Sequence, residues 1–151
     1  MRTDLTIYYD AGVIDRKLIE EFENEIDKTF PELYKNLLTK HNGVQFEENI
    51  FDFMSPNCED ERDCCFGAYG DVQSEAVRKM QLHNDCGHIN LTSFARSGNG
   101  DYICFDYRKD PKTCNPPVVI VLHDMWEEMA DGSHQMVVCD IAKDFESFIE
   151  L

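Results

Sequence analysis

The chain has 151 residues, 42% of them hydrophobic, so it is long enough to bury the core of one domain. We expect residues 1–151 to form a single domain. Its 30 acidic residues against 14 basic ones give a formal net charge of −16. Nucleic-acid phosphates and anionic membranes would repel this charge, so neither is an expected partner, whereas a basic protein is compatible with it. The alternative is that the acidic balance simply keeps the domain soluble.

Two amphipathic helices are predicted in the first third of the chain, after a short β-prone stretch at residues 5–9. Residues 16–27 carry apolar side chains on one helical face, Asp15 can cap them, and we expect the glutamates opposite that face to be solvated. The second helix begins at Pro31, which suits a first helical turn. It ends at Gly43, which tolerates a left-handed cap.

The next part of the chain alternates between apolar and polar stretches. Residues 44–54 predict one strand or a short hairpin, because apolar side chains recur on either side of a polar centre. Residues 56–69 are polar, acidic and punctuated by glycine, which predicts a loop. Residues 71–84 then predict a third helix.

An antiparallel sheet is predicted in the second half. Residues 89–95 and 102–107 form two strands around Gly98-Asn99-Gly100, whose glycines supply the backbone conformations of a tight hairpin turn. A second apolar run, residues 118–122, gives the next strand. Because only turns separate these strands, an antiparallel arrangement is the natural core.

The C-terminal part completes an α+β fold. Residues 125–134 predict a loop or hairpin turn, in which Asp131-Gly132 is the strongest turn signal. Residues 135–140 form a last strand, and residues 142–151 form a closing helix. We therefore expect a mostly antiparallel sheet flanked by N-terminal helices and a closing C-terminal helix.

The cysteines indicate a reducing compartment. The chain has seven, an odd number, and residues 1–10 lack the apolar segment of a secretion signal. Cys104 and Cys139 lie within apolar strand patterns, as small core residues do. No apolar run approaches the roughly 18 residues of a membrane span. A cytoplasmic location is the simplest expectation.

Short motifs occur in a recognisable order along the chain. They are Phe30-Pro31-x-x-Tyr34-x-x-Leu37-Leu38-x-x-x-Asn42-Gly43, Gly100-Asp101-Tyr102-Ile103-Cys104-Phe105-Asp106, Pro117-Val118-Val119 with His123-Asp124 at the strand end, and Ile141-Ala142-x-x-Phe145-x-x-Phe148. In this order, residues 14–151 resemble the SUKH superfamily, in particular its Smi/Knr (cell-wall-assembly-regulator-like) branch. The chain departs from the family at Phe30, where leucine is usual, and in its cysteine-rich segment 58–86.

The resemblance implies an α+β domain and a binding function. Bacterial members of this superfamily are immunity proteins that bind a toxin domain, often a nuclease or deaminase, and fungal relatives are regulatory binding proteins. The family has no shared catalytic set to carry over. We therefore expect a non-enzymatic protein, without a cofactor, that neutralises a cognate toxin. A regulatory scaffold of the same fold is the alternative.

The residues themselves offer few signs of catalysis. The chain has no G-x-S-x-G or H-E-x-x-H motif, and Gly98-x-Gly100 lies in a hairpin and not at the start of a helix. A zinc or thiol enzyme is a weaker alternative. It would be built on Cys58, Cys64, Cys65, His83, Cys86 and His88. This set lacks a Cys-x-x-Cys pair, so we expect no metal.

Two acidic places are predicted to bind the partner. Their residues are Glu59, Asp60, Glu61 and Asp63 in one stretch and Trp126, Glu127 and Glu128 in the other. Tryptophan is enriched at the centres of protein interfaces, and surrounding carboxylates would suit a toxin whose active site is basic because it holds nucleic acid. The alternative for Trp126 is that it folds back onto the sheet as a lid of the core.

Overall fold

The computed structural model describes residues 5–70, 76–82 and 88–151. The described residues contain the α-helices α1 (Lys17–Ile26), α2 (Glu32–Lys40) and α3 (Phe145–Ile149). The strands are β1 (Ile7–Tyr9), β2 (Gln45–Phe46), β3 (Ile50–Met54), β4 (Glu59–Asp63), β5 (Cys65–Phe66), β6 (Leu91–Arg96), β7 (Tyr102–Asp106), β8 (Val118–Glu128) and β9 (His134–Ala142). The fold is α+β, as predicted. No described helix has the length and apolar character to span a membrane.

An antiparallel meander forms the centre of the fold. Its strand order is β5-β6-β7-β8-β9, so each strand pairs with its neighbours in sequence. Two further ladders, β1–β2 and β3–β4, are antiparallel as well. The predicted hairpin between β6 and β7 is confirmed, with Gly100 at a φ of +101° in its turn. A non-glycine residue would be strained at this φ.

Aromatic residues of three sequence motifs meet Phe94 in the core. Tyr34 of α2, Phe94 of β6, Phe105 of β7 and Phe145 of α3 are completely buried. The Phe94 and Phe105 rings stack at 4.1 Å, and the Tyr34 ring lies edge-on to Phe105 at 5.1 Å and to Phe145 at 5.4 Å. Edge-to-face and offset-stacked contacts suit the quadrupoles of aromatic rings. The motifs therefore specify where α2 and α3 pack on the sheet.

The two N-terminal helices form where predicted, but one glutamate predicted to be solvated is buried. The Asp15 side chain accepts the backbone N–H of Lys17 at 3.0 Å, and Gly43 has a φ of +60° after α2. The glutamates of α1 are solvated except Glu23. This carboxylate is buried, accepts the backbone N–H of Phe30 at 2.7 Å, and pairs with Lys35 at 3.3 Å.

The prediction of a loop over residues 56–69 was wrong, because β4 and β5 lie within it. β4 consists of five charged residues and is held by its ladder with β3, in which Phe51 and Phe53 point into the core. Tertiary pairing has therefore overridden a composition that disfavours strands. The stretch 44–54 contains two strands, but β2 pairs with β1 and not with β3.

The predicted loop over residues 125–134 was also partly wrong. β8 continues to Glu128, so Trp126 lies in a strand opposite Met136, and only residues 129–133 form the turn. α3 is shorter than the predicted helix because Ala142 belongs to β9 and the Asp144 side chain caps the helix by accepting the N–H of Ser147 at 2.8 Å.

The third predicted helix, over residues 71–84, is described only in part. Residues 71–75 and 83–84 lie outside the described residues. Between them, Val77–Met80 forms one short 3-10 helix, and both of its end residues are buried.

Candidate protein-binding surface

A buried carboxylate, Asp101, joins three parts of the fold. It follows the β6–β7 turn, and its side chain has no solvent exposure (0%). Its Oδ2 accepts Nε of Arg62, on β4, at 2.8 Å and Nδ2 of Asn99 at 3.1 Å. Its Oδ1 accepts both the backbone N–H of His123 at 3.0 Å and the ring Nδ1 of His123 at 2.6 Å. Four donors therefore converge on one carboxylate.

The charge of Asp101 is set by two opposing effects. Burial acts to raise its pKa, whereas the hydrogen bonds from Arg62 and His123 act to lower it. The hydrogen bonds prevail, and the pKa of Asp101 lies below its usual value. Asp101 is therefore ionised at neutral pH, and it is the carboxylate that orients Arg62 and His123.

An irregularity in β8 makes the contact with His123 possible. Leu122 pairs with Val137 of β9, and the next pair is Trp126 with Met136, so β8 advances four residues while β9 advances one. The residues between bulge out of the ladder. Because the His123 N–H has no strand partner there, it is free to bind Asp101. Bulges commonly redirect side chains at binding and active sites.

The acidic residues predicted on β4 divide into two kinds. Asp60 lies 2.9 Å from Nη1 of Arg62, and Asp63 accepts the backbone N–H of Gly98 at 2.9 Å, so both stabilise the fold. Glu59 and Glu61 are exposed, and no described cation pairs with their carboxylates.

The outer face of the β3–β4 ladder is therefore acidic. Glu61 lies directly opposite Asp52, which is also exposed and without a described cationic partner. Like charges directly opposite each other destabilise a ladder. At the ends of this face, Ile50 and Met54 are 56% and 65% exposed. We call Ile50, Asp52, Met54, Glu59 and Glu61 the acidic face.

The second predicted place lies at the far end of β8. Trp126 is 46% exposed, so about half of its side chain is available to solvent. Glu127 accepts Nε2 of Gln135 at 3.0 Å, and Glu128 is exposed opposite His134.

The Asp101 network links β4 and β8, the two strands that carry the predicted places. Arg62 lies between Glu61 and Asp63 on β4, and His123 lies three residues before Trp126 on β8. The sequence-based selection missed Arg62, Asp101 and His123. For Asp101 and His123 the available signal was their position, because each is a polar residue at the end of an apolar strand pattern.

Comparison with known proteins identifies the family. The family model described as SUKH_6, SMI1-KNR4 cell-wall, matches residues 16–149. The chain belongs to the SUKH family. No curated protein and no solved structure matches the chain. The family match runs from α1 to the last residue of α3, and so includes the buried aromatic motifs and the Asp101 network of this SUKH protein.

One group in this SUKH domain has the composition of a metal site. Ligand atoms of Asp101, His123 and Asp124 lie within 4.8 Å of one another. However, the Asp101 carboxylate already accepts four hydrogen bonds, one of them from the Arg62 cation, and His123 Nδ1 is one of the donors. A cation would have to compete with an existing guanidinium, so this group carries no metal assignment.

Among its described members, the cysteine and histidine set predicted for the weaker enzyme alternative does not bring three ligand atoms together. Cys64 is buried, Cys58 is exposed, and His88 Nε2 lies 2.6 Å from the carbonyl oxygen of Met136. Burial raises the pKa of Cys64 well above its usual value, which disfavours the reactive thiolate. Cys65 is partly exposed, and its Sγ lies 3.7 Å from Oδ2 of Asp63. The last two predicted members, His83 and Cys86, lie outside the described residues.

Proposed function

We propose that this SUKH protein is a non-catalytic immunity protein that acts in the cytoplasm by binding and neutralising a cognate toxin domain. The observation that carries the proposal is the acidic face. Its carboxylates Asp52, Glu59 and Glu61 have no cationic partner among the described residues. The partner it fits best is a toxin whose active site is basic because it binds nucleic acid.

The geometry of the acidic face supports a protein partner. A basic side chain of a partner that lies between Asp52 and Glu61 relieves their repulsion. Binding therefore supplies the opposite charge that the free ladder lacks. Ile50 and Met54 add exposed apolar area on either side of these charges. A mixture of apolar contacts and complementary charge is typical of protein interfaces.

The second predicted place supplies a different kind of contact. Trp126 is the half-exposed aromatic residue next to the β8 bulge, and the Glu127 and Glu128 carboxylates follow it. Exposed tryptophan often carries a large share of the binding energy at an interface. We propose that the toxin covers both places, with the Asp101 network holding β4 and β8 in a fixed relation beneath it.

The deciding experiment is capture of the partner from the native cell with the tagged protein, followed by an activity assay. We expect a stoichiometric partner that contains a basic, nucleic-acid-cleaving or nucleic-acid-modifying domain. Its activity should fall to background at one equivalent of this protein. Capture of cell-wall or signalling proteins alone, with no toxin among them, would contradict the proposal and favour a regulatory scaffold.

A further inference from the structure

A cleft lies between the β1–β2 ladder and the turn that follows β6. Its volume is about 560 Å³, within the range of about 300–1,000 Å³ found for small-ligand sites. Aromatic side chains from Tyr8, Tyr9 and Phe46 form one part of its lining. Arg96, at the end of β6, and Gln45 contribute polar groups. The cleft is thus apolar over part of its wall, and its described lining includes one permanent cation.

Arg96 differs from the other described arginines. Each of those holds a carboxylate, in the pairs Arg16–Glu32, Arg62–Asp101, Arg78–Glu25 and Arg108–Asp106. Arg96 has no described carboxylate partner, and its Nε is buried without a hydrogen bond. Its guanidinium lies instead over the Tyr102 ring, 5.4 Å from the centroid. In a chain with 30 acidic residues, an arginine without a carboxylate partner requires an explanation.

We propose that this cleft binds a ligand in which one carboxylate is attached to an apolar or aromatic body. The guanidinium of Arg96 receives the carboxylate, and the body packs against the aromatic wall. Guanidinium and carboxylate match in geometry and charge, and stacking on Tyr102 holds the cation in place.

The charge of the protein selects a carboxylate over a phosphate. Arg96 is the one cation among the described residues that line the cleft, so it can balance one negative charge. The net charge of −16 repels a dianion about twice as strongly as a monoanion. A singly charged carboxylate is therefore favoured. Because Arg96 is not part of the acidic face, this inference is independent of the proposed toxin binding.

Titration of the 15N-labelled protein, followed by NMR, tests the ligand chemistry. The probes are N-acetylphenylalanine, its uncharged amide, a pentapeptide ending in phenylalanine, and inorganic phosphate. We expect both carboxylates to shift amide signals of the cleft lining, the amide to shift none, and phosphate to bind more weakly. Tighter binding of the peptide would identify a chain terminus as the source, and equal affinities would identify a free small acid. Binding of the amide as strong as that of the acid, tighter binding of phosphate, or no binding of either carboxylate would overturn the proposal.

Substitution of Arg96 tests the site. Arg96→Gln should weaken carboxylate binding by about tenfold or more, because a charge-assisted contact is lost. Arg16→Gln is the control, since it removes one positive charge from a pair on the helices. Arg96→Lys keeps the charge but not the planar fork and should bind with intermediate affinity.

A substitution at a second position, Tyr9, tests the site independently of any folding defect in the Arg96 variants. Tyr9 lines the cleft and is exposed, so Tyr9→Ala should leave the fold intact and still weaken binding of N-acetylphenylalanine. The amide spectrum of each variant reports whether the sheet is preserved. Carboxylate binding that survives unchanged in both Arg96→Gln and Tyr9→Ala would overturn the assignment.

Discussion

The Nε of Arg62 lies 2.8 Å from Oδ2 of Asp101, which attaches the two-stranded β3–β4 ladder to the turn of the central sheet. Asp101 also holds His123 of β8 through Nδ1 at 2.6 Å. The position of the acidic face therefore depends on Asp101, which is not one of its residues. Removing that carboxylate should affect both the stability of the fold and the arrangement of the binding surface.

The substitution Asp101→Asn should lower the free energy of unfolding by about 2–3 kcal/mol, because it removes the charge that a buried network is built around. Urea denaturation measures this loss. Asp124→Asn is the matched control, since Asp124 is a neighbouring but exposed carboxylate. Equal losses for the two variants would show that the Asp101 network contributes no special stability.

The same network should respond to pH in a defined direction. The pKa of Asp101 is lower in the folded protein than in the unfolded chain, so its contribution to stability is fully present above the unfolded value of about 3.9. It is lost as the pH falls through the folded pKa. The stability difference between wild type and Asp101→Asn should therefore be largest near neutral pH and shrink below about pH 4. A difference that is constant from pH 7 to pH 3 would contradict this assignment.

Local sequence signals predicted the elements that depend on local chemistry. α2 between Pro31 and Gly43 and the hairpin around Gly98-Asn99-Gly100 form as expected, because proline and glycine restrict or permit specific backbone conformations. β4 could not be predicted in this way. Its sequence, Glu59–Asp63, is entirely charged, and it becomes a strand only through the β3 ladder and the Arg62–Asp101 contact.

The candidate site shows the same limit. The exposed positions Glu59, Glu61 and Trp126 could be selected from composition. The central position of Asp101 could not, because it depends on a bulge in β8 that brings His123 out of the ladder. The sequence also did not show which acidic side chains lack a cationic partner in the fold. Asp60, for example, is paired with an arginine two residues away.

The acidic face should reduce the stability of the free protein. Glu61→Lys replaces a like-charge pair with an opposite-charge pair across from Asp52, so it should raise the free energy of unfolding by about 0.2–1 kcal/mol. Glu59→Lys is the control, because Glu59 lies opposite Met54 and gains no such partner. Thermal or urea unfolding of the two variants measures the effect. Equal stabilities would show that Asp52 and Glu61 do not interact.

The same charges should govern association with the toxin. The double variant Glu59→Gln/Glu61→Gln should slow association with the captured toxin domain by several-fold and flatten its dependence on salt, because electrostatic steering acts mainly on the association rate. Glu21→Gln/Glu146→Gln removes the same charge from exposed positions on α1 and α3. Stopped-flow or surface-binding measurements at low and high ionic strength compare the two variants. If both slow association equally, only the net charge matters and the toxin does not bind at the acidic face; a specific loss in the first variant places the toxin there.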